Sequence, residues 1–295
     1  MDDWIDCLPW RSEHHLTVSL YSDASSRSCG AVLIQDSQRL VSRDYWPIDS
    51  SEDINVLESK ALLNALVAFR ARLSNSRVDV HIDSRVLKSA LDGGGCKSST
   101  INDVVKDIFR HSHDFNFSIQ TFYVPSSRNP ADEPSRNLSD LDCMLTLETW
   151  LCLERCFGPH SFDLMSLDSN CQRDRSGNPL PHFTPWPTPG SAGVNVFANS
   201  LPARQDIYIF PPFVLIGPLL RYIFSQHFHD AFTLVVPDFH TRPFWWAPLQ
   251  ALIVDRLLLG RKGSSSVLLF PSRHSPQWLP RDLQWDLWAF RCVCQ

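Results

Sequence analysis

Four acidic residues fall where backbone elements change: Asp23, Glu58, Asp83 and Asp132. If their carboxylates met, each would raise the pKa of the others and repel them unless a cation sat between. An all-oxygen set of this kind suits a hard divalent ion such as Mg2+. Ions held this way support metal-assisted hydrolysis. A plainer reading is open for each acid. Asp132 lies in the run from Tyr123 through Val-Pro-Ser-Ser-Arg-Asn-Pro-Ala to Arg136, where a helix can begin behind Pro130. Asp at a helix start is an ordinary cap. The other three are equally open to being unrelated surface acids.

The elements that must position them are legible in order. Leu16 to Asp23 alternates apolar and polar residues, which predicts a strand with Leu16, Val18 and Leu20 on one face and Thr17, Ser19, Tyr21 and Asp23 on the other. Ala31 to Ile34 predicts a second strand in a hairpin, and Leu40 to Trp46 a third. Ile54 to Leu73 is the strongest helix pattern, with Leu62, Ala65, Leu66 and Phe69 at helical spacing. Glu58 stands four residues before Leu62 and so near that apolar stripe, where a carboxylate needs a partner or a metal. Val78 to Asp83 predicts a strand, Arg85 to Leu91 a short helix stopped by three glycines, Ile101 to His111 a helix, and Phe117 to Val124 a last strand.

This order, with the words Tyr-Ser-Asp23-Ala-Ser, Asn-Val-Leu-Glu58-Ser-Lys-Ala-Leu, His-Ile-Asp83-Ser and Asn-Pro-Ala-Asp132-Glu-Pro-Ser-Arg, resembles the ribonuclease H region that follows reverse transcriptase in retrotransposons, especially the DIRS (tyrosine-recombinase) type. The resemblance covers roughly residues 16–137. It implies a mixed five-stranded sheet with helices, and a divalent-metal-dependent endonuclease that hydrolyses the RNA strand of an RNA–DNA hybrid during reverse transcription. It implies two Mg2+ ions, with Mn2+ as an alternative: Asp23 bridging both, Glu58 and Asp83 holding one, Asp132 the other. Two such ions stabilise the attacking and leaving oxygens of a phosphodiester. The chain departs from the family in two respects. Many ribonucleases H carry a mobile histidine before the last acid, and Pro125 to Pro130 has none, which implies slower turnover. The stretch expected to grip the hybrid, Gly93 to Ser99, has one basic residue, Lys97. An upstream polymerase domain or other retroelement proteins would then do most of the holding.

Composition narrows the setting. The 295 residues predict two domains, and 43% hydrophobic content supports real cores. A net charge of −5 excludes a broadly basic nucleic-acid coat, so such contacts must be local. Nine cysteines without a CxxC pair fit reduced thiols in an intracellular protein, cytoplasmic or nuclear, rather than a disulfide framework. The N-terminus has no secretory pattern, and no apolar run is long enough to span a membrane. The domain boundaries predicted are a lead-in over residues 1–15, a ribonuclease H-like domain over 16–138 and a second domain over 139–295.

In the second part, a helix capped by Ser139 is predicted over Leu141 to Phe157. Residues 173–206, rich in Pro, Gly, Ser and Asn, form a long excursion. Then come a strand from Ile207, a helix over Val214 to Phe228, a strand over Phe232 to Val236, a helix over Trp245 to Leu259 and a final strand over Val267 to Phe270. That alternation predicts a three-layer α/β domain. Phe162-Asp163-Leu164, Asn170 and the loop Phe210-Pro211-Pro212-Phe213 resemble features of phage Dam-like adenine-N6 methyltransferases. In that family the residue before the two prolines is Asp or Asn, which accepts from the adenine amine. Phe210 cannot accept a proton, and no glycine-rich loop for S-adenosylmethionine is present. The resemblance therefore implies a methyltransferase-like shell that neither binds S-adenosylmethionine nor transfers methyl. The residues alone leave Phe210 and Phe213 equally readable as core aromatics beside a turn. His111-x-His113 and His227-x-His229 have metal-pair spacing but no third ligand, and Phe244-Trp-Trp246 reads as core. The alternative for the whole chain is a non-catalytic retroelement remnant that serves as an interaction module.

Overall fold

The computed structural model describes residues 16–47, 52–139, 141–272 and 277–294, so the lead-in lies outside the described residues. The chain divides into two units. One holds residues 16–43 and 52–137 of the described chain, the other 44–47 and 138–294.

The first unit opens with strands β1 (Leu16–Ala24), β2 (Ser28–Gln35) and β3 (Gln38–Tyr45). Asp36 and Ser37, both at positive φ, make the two-residue turn between β2 and β3, a geometry that follows the strands' own twist. Helices α1 (Ile54–Ala68) and α2 (Arg70–Leu73) follow, then β4 (Ser76–Ile82), α3 (Arg85–Asp92), α4 (Ser99–Asp114), β5 (Ser118–Tyr123) and the short α5 (Asp132–Arg136). The sheet order is β3-β2-β1-β4-β5. β1 and β2 are antiparallel, whereas β1, β4 and β5 are parallel. This is the mixed five-stranded sheet expected.

The alternation read in β1 and β4 holds: Val18, Leu20, Val78, Val80 and Ile82 are buried against Leu62 and Leu66 of α1 and Ile101, Val105 and Ile108 of α4. On the alternate positions Tyr21 stacks on His81, and His81 on Phe122. The single helix predicted to Leu73 is broken at Phe69. The Phe69 amide closes on Ala65 and Val67, and the break lets Phe69 and Leu73 both enter the core.

In the second unit come β6 (Met144–Leu145), α6 (Leu147–Phe157), β7 (Phe162–Asp163), β8 (Phe183–Thr184), β9 (Gly193–Val194), β10 (Ile207–Ile209), α7 (Ile216–Ser225), β11 (Ala231–Asp238), α8 (Trp246–Gln250), β12 (Ile253–Gly260), β13 (Leu268–Pro271), β14 (Trp278–Pro280) and β15 (Asp286–Val293). Its main sheet runs β12-β15-β11-β10-β7, with β7, β10 and β11 parallel and β15 antiparallel to both its neighbours. Both faces are covered. Ile207, Ile209, Leu234 and Val236 pack against Ile216, Leu219, Leu220 and Ile223 of α7. Tyr208, Val235 and Ala289 pack with Trp150 and Leu153 of α6. A buried His160 ties α6 to β11, bonding Glu154 at 2.5 Å and Thr233 Oγ1 at 2.8 Å.

Three expectations fail here. Thr146, not Ser139, caps α6, accepting from the Thr149 amide, and Leu141 and Leu147 stand in solvent. The helix predicted over Trp245 to Leu259 is one turn and more of α8 followed by strand β12. Pairing with β15 overrides the helical spacing there, as short apolar runs permit. Finally β15, which the sequence reading passed over, lies between β12 and β11 inside the sheet.

One close approach positions the acids. A Cβ on Gly30 would lie 2.3 Å from the Ser135 amide nitrogen, 2.7 Å from the Pro134 carbonyl carbon and 2.9 Å from the Ala131 oxygen. Gly30 is the residue opposite Asp23 in the β1–β2 pairing. Only glycine lets α5 lie this close to β2. Gly30→Ala should cost about 2–3 kcal/mol through overpacking, read by chemical denaturation. Unchanged stability would show that α5 is not held by this contact.

Candidate active site

Asp23 reaches the site because β1 runs one residue beyond it, and its side chain is 1% exposed. Glu58 is delivered by α1, whose start is fixed by Asp53 accepting from the Asn55 amide at 2.9 Å. It lies one turn into the helix, 8% exposed, with Val56, Leu57 and Ala61 buried around it. Asp83 follows the last residue of β4. One carboxylate oxygen from each of these three acids lies within 4.8 Å of the other two. Among the described residues this is the only group of three or more His, Cys, Asp or Glu side chains placed to share a metal ion.

The electrostatics of the group are unfavourable as it stands. Burial, then the neighbouring charges of Asp23 and Asp83, pushes Glu58 up to about 8 despite a hydrogen bond from the Ala24 amide. Burial also raises Asp23 to about 6, with Asp83 and Asp132 adding to it and the Ser135 hydroxyl opposing. Glu58 Oε2 and Asp83 Oδ1 are buried atoms with no hydrogen-bond partner. Buried carboxylate oxygens are rarely left so. Oxygen donors, excess negative charge and open lone pairs together fit a hard divalent cation.

Asp132 is brought near but differently. It starts α5, its negative charge reaches Asp23, and its own carboxylate accepts from Arg136 Nε at 2.7 Å. It is half-exposed and outside the group of three. The cap reading does not describe it, since Ala131 holds the cap position and Asp132 is the first residue of the helix itself.

Sequence reasoning missed the serines that hold the acids. Ser135 Oγ donates to Asp23 Oδ2, and Ser126 Oγ to Asp83 Oδ2. The Ser135 carbonyl in turn accepts from Ser28 Oγ at 2.6 Å and Ser25 Oγ at 2.9 Å, and Asn129 Nδ2 donates to the Ser22 carbonyl at 2.9 Å. The loop after β5 is thus fastened to the end of β1. The available signal was the three-residue step from Asp132 to Ser135, which puts both on one side of a helical turn.

Other candidates are spent on structure. His111 Nε2 meets the Leu66 carbonyl, and His113 points to solvent. In the second unit Asn170 uses its amide on the Leu167 N–H and the Cys143 carbonyl. Phe213 of the Phe210–Phe213 loop packs edge-on to Phe239 and Trp285, and Phe210 tilts against Phe213 at 6.4 Å. Of Phe244-Trp-Trp246 only Trp245 is core: Phe244 is exposed and Trp246 lies under Arg242. Among the described residues no helix is long and apolar enough to cross a membrane.

No family model matches this chain. No curated protein matches it either. Among solved structures it is similar to the N-terminal RNase H domain of a Mycobacterium tuberculosis protein, at 22% identity over 40% of this chain and 90% of that one, with a TM-score of 0.36. It is similar to RNase H1 from the halophilic archaeon Halobacterium salinarum, at 21% identity over 40% and 93%, TM-score 0.36. A third is LC11-RNase H1, solved in complex with an RNA/DNA hybrid, at 20% identity over 40% and 92%, TM-score 0.35. At these values the likeness carries nothing about activity. The α/β class with a ribonuclease H-like sheet rests on the strand order and pairing described above.

The raised pKa values set a pH dependence. In folded, cation-free protein Asp23 and Glu58 hold protons more tightly than in the unfolded chain. Their contribution to stability is therefore complete below the unfolded carboxylate range and is lost as pH rises through about 6 for Asp23 and about 8 for Glu58. A cation competes with those protons. Mg2+ at one fixed concentration, about a hundred times its Kd at pH 8.5, should raise the melting temperature by roughly 5 °C at pH 8.5 and by much less at pH 5.5, where protons weaken its binding. Equal shifts at both pH values in calorimetry would contradict a cation site at these acids.

Proposed function

We propose that the first unit is a divalent-metal-dependent endonuclease that hydrolyses the RNA strand of an RNA–DNA hybrid, and that the chain derives from a retroelement polyprotein. The observation that carries this reading is the trio Asp23, Glu58 and Asp83, with oxygens within 4.8 Å and two of them buried without partners. The four sequence words around Asp23, Glu58, Asp83 and Asp132 supply the substrate class. Asp23, Glu58 and Asp83 would hold Mg2+, or Mn2+ in its place, and Asp132 would complete a second position. When bound, the cations supply Lewis-acid stabilisation of charge developing on a phosphodiester.

The protein's own residues set the stage for that chemistry. Ser135 and Ser126 each donate to one oxygen, of Asp23 and Asp83 respectively, which limits how those carboxylates can turn. Arg136 holds Asp132 at the mouth of the group. Burial of Asp23 and Glu58 keeps water from screening their charge, which strengthens the attraction for a cation. The working partners on this reading are the hybrid and an upstream reverse transcriptase domain, acting inside the cell.

For the second unit we infer a methyltransferase-like shell without methyl transfer. Phe162 and Asp163 form β7, with Leu164 at its end, and the Phe210–Phe213 loop follows the adjacent parallel strand β10; the Leu164 amide bonds the Tyr208 carbonyl at 2.9 Å. Phe210 stands where a hydrogen-bond acceptor is needed for the adenine amine, and the ring of Phe213 is taken up by Phe239 and Trp285. Calorimetric titration with S-adenosylmethionine should give no heat of binding. A saturable signal would overturn this inference.

The nuclease reading is tested with a labelled RNA–DNA hybrid and Mg2+. The parent chain should cut the RNA strand, and Asp83→Asn should lose about 100-fold or more of the rate, roughly 3 kcal/mol of transition-state stabilisation. Equal rates in the two proteins would remove the claim. Absence of cleavage in both would favour the non-catalytic remnant.

A further inference from the structure

A shallow depression of about 610 Å³ opens beside the acids, lined by Arg85, Lys88, Ser89, Asp92, Gly93 and Tyr123. Arg85 is two residues beyond Asp83, and Tyr123 is paired in register with Ile82, the residue before it. Cα atoms two residues apart are at most about 7 Å from each other, so the depression borders the acidic group.

The chemistry of its walls is uneven. Lys88 is committed, its Nζ lying 2.5 Å from Asp92 and 3.2 Å from Thr121 Oγ1. Arg85 makes no ion pair among the described residues. Its guanidinium lies 5.1 Å from the centre of the Tyr123 ring, and both residues are exposed. A ring face under a guanidinium holds it in place without neutralising it. The depression therefore keeps one uncompensated, pre-oriented cation with a free fork of donors, next to a phenol that is 44% exposed.

We propose that this depression binds the sugar–phosphate backbone of a nucleic-acid strand, about one or two nucleotides from the bond that is cut. The proposal rests on the nuclease reading for the identity of that strand. Arg85 takes a phosphate through two parallel hydrogen bonds, which a planar guanidinium suits better than an ammonium. Tyr123 offers its face to a sugar or base. This places the grip on Arg85 and Tyr123 rather than on Lys97, the exposed lysine of the glycine-rich loop. It also reconciles a net charge of −5 with a polyanionic substrate, since one positioned cation suffices locally.

The test is fluorescence anisotropy of a labelled hybrid with the full chain in EDTA, so that nothing is cut, at several salt concentrations. Arg85→Ala should weaken binding about 5–10-fold and lower the slope of log K against log salt by about 1. Arg85→Lys should recover the slope and only part of the affinity. Tyr123→Ala should weaken binding about fivefold with the slope unchanged, and Lys97→Ala should change less than Arg85→Ala. An unchanged affinity and slope in Arg85→Ala, or no binding by the parent chain, would overturn the proposal, as would preference for an acidic peptide over the hybrid. Cleavage is read separately in Mg2+. Binding through Arg85 without cleavage would support this site and remove the nuclease reading. Cleavage with Arg85→Ala binding as the parent does would remove this site and leave that reading standing.

Discussion

The first unit is built around a repulsion. Asp23, Glu58 and Asp83 converge from a strand, a helix and a strand end, and burial denies them the water that would screen them. One counter-charge stands close by, Arg136, and it is paired with Asp132 at 2.7 Å. Its charge eases the strain on Asp23 and Glu58 by less than burial and the neighbouring acids add to it. Two buried oxygens remain without partners, and a fold held only by its core would have little reason to keep them.

The rest of that unit reads as the means of holding the acids together. Hydrophobic packing of α1 and α4 on the sheet fixes where Glu58 falls relative to β1 and β4. The loop after β5 and helix α5 then close the site by short-range contacts: Gly30 against the α5 backbone, the Ser135 carbonyl under two serine hydroxyls, Asn129 on Ser22. These are directional and local, so they set angles that apolar packing alone leaves loose.

How much was legible follows from the range of each signal. Asp23 and Asp83 were found because period-two alternation in β1 and β4 is a local property, and Glu58 because helical spacing is. Gly30, Ser126 and Ser135 act across a hundred residues or more, or through one loop's shape, and nothing in their neighbours announces it. Asp132 shows the limit from the other side. Its sequence word predicts a fourth metal-sharing carboxylate, and its charge does reach Asp23, but the turn of its side chain toward Arg136 depends on a rotamer that the sequence does not encode on its face. In the second unit β15 has no one-sided alternation, since Leu287 and Ala289 are buried on one face and Phe290 and Cys292 on the other, and the spacing of Trp245 to Leu259 favoured a helix. Pairing between β12 and β15 decided both.

The second unit supplies the contrast that gives the acidic group its meaning. There too carboxylates are buried or half-buried, but Asp168 and Glu154 are answered in place. Asp168 accepts from His182 Nε2 at 2.8 Å, Thr188 Oγ1 at 2.6 Å and the Gly190 amide at 2.7 Å. Burial is the largest single influence and works against charge on His182, yet its hydrogen bonds to Asp168, Cys171 and the Leu180 carbonyl together outweigh it and lift the imidazole to about 11. Glu154 bonds His160 Nδ1 at 2.5 Å and accepts from the His160 amide at 3.1 Å. Asp163 keeps one buried oxygen unpartnered and is pushed by burial up to about 6, but it stands alone and can be relieved by a single proton. Three acids sharing one space have no such economy, because each proton removed from one makes the next harder to remove. A structural acid is completed by its neighbours, whereas the group at the end of β1 keeps buried oxygens on Glu58 and Asp83 that no described neighbour answers.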